Sequence, residues 1–433
     1  MKTVEKKYLL PFVLVTACFA LWGFANDITN PMVKAFSKIF RMSVSDGTLV
    51  QVAFYGGYFC MALPAALFIR RFSYKAGLLM GMGLYAAGAL LFIPAGVSGD
   101  YYPFLIAYFV LTCGLSFLET SANPYILSMG DADTATRRLN LAQAFNPLGS
   151  LAGMYVAMQF IQSRLNPMSS SQRSMLDSAE FEAVKSADLA VLTKPYMIIG
   201  IVLVVLLIVY IAVLPNGEAK TVNENEDKSG TVRRLWRNRR YRYGVVAQFF
   251  YVGAQIMCWT FIIQYGTQVF MGEGMAERDA EVLSQKYNIA AMVLFCGGRF
   301  VCTWLMKYVR SVKMLSILAV CAIVLTVLVV AVGGRIGLYC LVGVSLCMSL
   351  MFPTIYGQAL DGLGQDAKLG SAGLIMAILG GSLLPPLQAA IIDGKGLMGL
   401  QPVNVSFVVP MVCFAVVACY GFAVSRKNVK PIQ

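Results

Sequence analysis

The sequence predicts an all-α membrane protein with twelve transmembrane helices in two six-helix bundles, and three observations predict it. Hydrophobic residues make up 58% of the 433 residues and charged residues only 13%, against about 25% charged in a soluble domain. The apolar runs are continuous over the roughly 20 residues that a bilayer-spanning helix requires, not alternating as in a membrane β-barrel. Two polar stretches, 164–194 and 215–242, interrupt the runs, and the second leaves six spans on either side. Disorder is excluded by the same composition, since a disordered chain has few apolar residues and many charges.

The spans are drawn at 8–37, 47–69, 76–97, 102–130, 138–163 and 195–214, then at 243–271, 286–306, 312–333, 336–360, 369–392 and 403–424. The first opens behind Lys6 and Lys7 as an apolar run from Tyr8 to Ala25. It exceeds the roughly 7–15-residue core of a signal peptide and continues through Ile28, Val33 and Phe36, with Pro31 as a kink. It is read as a retained helix. Arg70, Arg71 and Lys75 follow the second span, and Lys307, Arg310 and Lys313 follow the eighth, a weak internal repeat. The stretch 215–242 begins Pro215-Asn216-Gly217 and ends in a run of arginines from Arg233 to Arg242. The expected organisation is an N-terminal bundle at 1–214, a cytoplasmic linker at 215–242 and a C-terminal bundle at 243–433.

Lys and Arg collect in cytoplasmic loops. With both termini cytoplasmic, 23 of the 35 basic residues fall inside, although Lys34, Lys38 and Arg41 run against the bias. The net charge of +13 is therefore read as membrane topology and not as nucleic-acid binding. The eleven cysteines lie within apolar runs without a C-x-x-C pair and are read as small packing residues. There is no histidine, which excludes His metal ligation, His general acid–base chemistry and Ser-His-Asp triads. No metal-ligand cluster or nucleophile–base pair appears, so an enzyme is not expected.

Charges inside spans are costly and default to functional hypotheses. Of the 22 acidic residues only Asp27 and Glu119 fall clearly within apolar segments, and Arg299 is the one basic residue that does. Asn26, Asp27 and Asn30 are spaced i, i+1 and i+4 and share one side of the first helix; they line a cavity, or Asp27 is simply wetted near the outer mouth. Glu119 has apolar sequence on both sides. Taking a carboxylate out of water favours its protonated form, which makes Glu119 a candidate proton carrier, the alternative being a structural Glu bonded to a neighbouring helix. Gln143 and Asn146 are one turn apart on the fifth span. Gln248, Tyr251, Gln255 and Trp259 share a face of the seventh. Amides suit sugar hydroxyls and an aromatic face suits the C–H side of a pyranose, but polar glue between helices is an equal alternative. Arg299 binds an anion or, in the favoured reading, has a structural or gating role with carbonyls at a helix end.

These residues carry a family resemblance. The chain resembles the bacterial fucose–galactose–glucose:proton symporters of the major facilitator superfamily along nearly its whole length. The likeness rests on Ala53-Phe54-Tyr55-Gly56-Gly57-Tyr58-Phe59, Leu118-Glu119-Thr120-Ser121-Ala122-Asn123-Pro124, Arg138-Leu139-Asn140-Leu141-Ala142-Gln143-Ala144-Phe145-Asn146, Ala247-Gln248-Phe249-Phe250-Tyr251, Gly298-Arg299-Phe300 and Pro353-Thr354-Ile355-Tyr356. It implies a major facilitator fold, a bacterial inner-membrane location, and uptake of L-fucose or a related hexose with protons as the coupling ion and no cofactor. The protein is expected to be monomeric. A glucose/galactose:proton symporter and an uncoupled sugar facilitator or sensor are the alternatives. The resemblance also implies proton coupling at Glu119 and sugar contacts from Gln143 and Asn146. Two departures stand out. The family's loop after the second span carries an Asp before its basic residues, and the stretch leading to Arg70 and Arg71 lacks it. In the family's fucose transporters the first-helix Asp occupies the position of Asn30, whereas here the carboxylate is Asp27, one turn earlier.

Overall fold

A computed structural model describes residues 4, 8–29, 32–42, 49–168, 170–213, 228–392 and 401–427. Every regular element among them is helical. In chain order the main helices are α1 (Leu9–Thr29), α2 (Met32–Ile39), α3 (Leu49–Arg71), α4 (Tyr74–Leu90), α5 (Tyr101–Ser128), α6 (Ala132–Gln143), α7 (Asn146–Val156) and α8 (Ser178–Val213). There follow α9 (Lys228–Arg237), α10 (Arg239–Gly272), α11 (Glu277–Leu305), α12 (Ser311–Ala331), α13 (Gly334–Met348), α14 (Met351–Leu360), α15 (Ala367–Met376) and α16 (Val408–Lys427). Among the described residues, eleven helical runs are long and apolar enough to cross a membrane. The span drawn at 138–163 is the broken run α6–α7, which a π-turn at Ala157–Ile161 continues.

Two sequence boundaries change. The sixth span, drawn at 195–214, is the second half of α8, a 36-residue helix that begins at Ser178. The polar segment 178–194 is rich in Ala, Glu, Leu and Lys, all strong helix formers, so the helix continues past its apolar part. Of the linker drawn at 215–242, residues 215–227 lie outside the described residues, 228–237 form α9 and α10 has begun by 239.

The chain packs as two units. One comprises Lys6–Ile126 and Phe145–Glu226. Its helices approach through small residues, as membrane helices do in the absence of a hydrophobic drive between them. A Cβ on Gly149 or Gly153 of α7 would collide with the Ala20 or Phe24 carbonyl of α1. One on Gly114 of α5 would collide with the backbone of α4 at Tyr85. Outside the spans, the 164–194 stretch holds a buried ion pair, Arg173 to Asp188 at 2.5 Å. Asp188 also accepts the Asn166 N–H at 2.8 Å.

The other unit comprises Met1–Glu5, Leu127–Ala144 and Asp227–Gln433. It includes α6. The buried Arg138 ties α6 to its own entry turn, donating to the Leu127 carbonyl at 2.8 Å and to Thr134 Oγ1 at 2.9 Å. Asn140 then donates to Thr354 Oγ1 at 3.3 Å and Gln358 to Thr136 Oγ1 at 3.4 Å, holding α6 on α14.

Candidate functional site

In the first unit α3 and α5 approach closely at Gly57, where a Cβ would press on Thr112. Ser116 Oγ donates to the Tyr58 carbonyl at 3.2 Å, pinning α3 one turn before Glu119. Glu119 is 0% exposed, and neither carboxyl oxygen has a hydrogen-bond partner among the described residues. The buried Tyr58 is within electrostatic reach of this carboxyl, with Trp22 beside its hydroxyl. Asp27 is buried on α1, 8% exposed, with Tyr55 in its electrostatic reach. Asn26 beside it is half-buried. Asn30 lies outside the described residues. Tyr55 and Tyr58, three residues apart on α3, thus stand by the two carboxyls.

The sequence placed Gln143 and Asn146 on one helical face. The helical hydrogen-bond ladder is interrupted between them, at Ala144–Phe145, although both residues keep right-handed helical dihedrals. The cause is Pro147, which has no N–H to give to the carbonyl four residues back, that of Gln143. The two amides sit on opposite sides of the break and in different packing units. Asn146 is half-buried and donates to the Phe19 carbonyl at 3.1 Å, next to the α1–α7 glycine contacts. Gln143 is buried at the end of α6.

In the second unit Gln248 on α10 is 0% exposed, with both amide atoms unpartnered among the described residues. A buried amide left this way costs about 1–3 kcal/mol, so a ligand or water is its natural complement. Gln255 and Trp259 follow on the same helix, both half-buried. The Trp259 indole donates to Ser345 Oγ at 3.2 Å and meets the Phe295 ring edge-on, with centroids 4.9 Å apart. Tyr251 has a different task. It is fully buried, and its hydroxyl donates to the Met348 carbonyl at 3.0 Å, at the break between α13 and α14.

Arg299 on α11 is 3% exposed and has no carboxylate within ion-pair distance among the described residues. Its Nε donates to the Ser349 carbonyl at 2.5 Å and its Nη1 to the Gln143 carbonyl at 2.8 Å, with the guanidinium 4.6 Å from the centre of the Phe295 ring. Its donors serve backbone, not an anion. Arg70 and Arg71 close α3, with Arg71 5.7 Å from the Phe72 ring centre, just before Ser73 caps α4 by accepting the Ala76 N–H at 3.1 Å. Sequence reasoning gave no role to Tyr58, nor to Pro147 and Pro353, the two prolines that interrupt helical hydrogen bonding. The proline signal was readable: the carbonyl four residues before each Pro requires a donor from elsewhere.

Residues 15–386 match the Major Facilitator Superfamily profile. An L-fucose-proton symporter of Haemophilus influenzae is 49% identical over 430 residues, covering 97% of this chain and 98% of that one. An L-fucose-proton symporter of Escherichia coli strain K12 is 34% identical over 422 residues, covering 96% and 93%. A crystal structure of a major facilitator transporter, FucP, in the outward conformation matches with a TM-score of 0.86 at 32% identity, covering 97% of this chain and 99% of that one. The chain belongs to the major facilitator superfamily, a class of multi-helix membrane transporters. Within that class it is similar to the L-fucose-proton symporters.

Proposed function

We propose that the protein is a proton-coupled importer of L-fucose that works by alternating access in the bacterial inner membrane. The observation that carries the reading is Glu119: a fully buried carboxyl, flanked by apolar sequence, with no partner for either oxygen among the described residues. A bare carboxylate in such a place is penalised by several kcal/mol, so a proton accompanies it. Uncoupled transport needs no such group. The similarity to L-fucose-proton symporters over nearly the full chain supports the same reading.

Proton coupling is assigned to Glu119, with Asp27 as the second carboxyl in place of the family's Asp at position 30. Sugar contacts are assigned to Asn26, Asn30, Glu119 and Asn146 and to Gln143, Gln248, Gln255 and Trp259, with Tyr251 supporting them from the α13–α14 break. The six-span halves, 1–214 and 243–433, act as the two rocking bundles, with both termini cytoplasmic and the protein a monomer. Uptake of labelled L-fucose, D-glucose and D-galactose into proteoliposomes, with and without an imposed proton gradient, tests the assignment. L-Fucose accumulation that requires the gradient is expected. Gradient-independent equilibration, or preference for glucose or galactose, overturns it.

A further inference from the structure

In an α-helix each N–H bonds to the carbonyl four residues earlier, and proline removes that donor. Residue 147 is Pro, so the Gln143 carbonyl lacks its helical partner. Residue 353 is Pro, so the Ser349 carbonyl lacks its own. These are the two carbonyls to which Arg299 donates, at 2.8 Å and 2.5 Å. They come from separate helices, one at the end of α6 and one at the cap of α13. Both helices present their negative dipole ends to the guanidinium, the arrangement that stabilises a cation without a carboxylate. The planar fork of Arg delivers two fixed donors at once, which Lys cannot reproduce. Tyr251 completes the second break by serving the adjacent Met348 carbonyl.

We infer that Arg299 is a positioning residue for sugar recognition: by donating to the proline-orphaned carbonyls of Gln143 and Ser349, it fixes the end of α6 from which Gln143 acts. The inference rests on the reading of Gln143 as a sugar contact. Arg299 touches no sugar in this scheme. Its effect passes through the backbone of Gln143.

The test measures apparent KM and maximal rate for L-fucose exchange in proteoliposomes, for Gln143→Ala, Arg299→Ala, Arg299→Gln and two double variants. Arg299→Ala is expected to raise KM about fivefold to tenfold, as Gln143→Ala does. In the Arg299→Ala background, Pro147→Ala returns an N–H four residues after Gln143 and is expected to recover at least half of the loss. Pro353→Ala, which serves only Ser349, is not. Where Arg299→Ala fails to fold, Arg299→Gln, with one amide donor, takes its place in both backgrounds. A lower maximal rate at unchanged KM means a merely structural role and overturns the inference. So does a raised KM that Pro147→Ala leaves untouched, or that Pro353→Ala rescues equally. If Arg299→Ala leaves KM unchanged while Gln143→Ala raises it, the inference falls and the reading of Gln143 stands. If neither changes KM, the reading of Gln143 falls and takes the inference with it.

Discussion

Glu119→Gln separates carriage of the proton from carriage of the sugar. The substitution keeps shape and polarity and removes the group that titrates. No partner among the described residues holds either carboxyl oxygen, so the amide, of nearly the same size, breaks no hydrogen bond seen within the protein. The magnitude follows from the driving force. One proton crossing 100 mV carries about 2.3 kcal/mol, and at about 1.36 kcal/mol per decade this sustains roughly a fiftyfold sugar gradient. A wild-type plateau near that value is expected for one coupled proton per sugar. Proteoliposomes with an imposed potential of 100 mV and labelled L-fucose supply the assay, with counterflow in the absence of a gradient as the control. Glu119→Gln is expected to level near an inside-to-outside ratio of 1 while counterflow stays within about threefold of wild type. A variant that still concentrates fucose tenfold under the same potential refutes the reasoning.

Three further outcomes are expected. Asp27→Asn lowers gradient-driven uptake strongly, and adding Asn30→Asp restores part of it by rebuilding the family arrangement; near-normal uptake by Asp27→Asn against pH would leave Glu119 as the sole coupling carboxyl. Gln143→Ala and Asn146→Ala each lose about 1 kcal/mol of sugar binding, roughly fivefold in apparent affinity, read from uptake at varied sugar concentration with expression near normal. Asp188→Ala strands the buried Arg173 guanidinium and costs about 3–5 kcal/mol of stability, seen as a lowered unfolding temperature in detergent, and adding Arg173→Met recovers much of the loss.

Much of this was legible in the sequence, for reasons that vary by residue. Apolar runs of span length set the helices, and a lone acid in such a run singled out Glu119. Other features depend on partners far along the chain. The acceptors of Arg299 are 50 and 156 residues away, and no local pattern pairs them. Periodicity read Gln143 and Asn146 as one turn apart on one face, but it is blind to a missing N–H: Pro147 leaves the Gln143 carbonyl without its helical donor and ends the ladder between them. Tyr251 fitted a polar stripe, yet its hydroxyl closes a helix break, since a stripe says which side a residue faces and not what it meets. The extension of α8 through 178–194 escaped because charge marks the edge of the bilayer, whereas helix propensity decides where the helix stops.

The joint that Arg299 makes has a consequence for behaviour in acid. Each acceptor that it holds is a peptide carbonyl, and peptide carbonyls do not titrate. A joint built on a carboxylate would loosen whenever its acid took up a proton, and the grip of the helices would fluctuate with the cargo. Here the mechanical fastening is chemically deaf to protons, and Glu119 and Asp27, the carboxyls proposed to couple them, stand on other helices. On that proposal, substitutions around the two carboxyls are expected to retune the acid range of uptake with the α6 fastening left as it is.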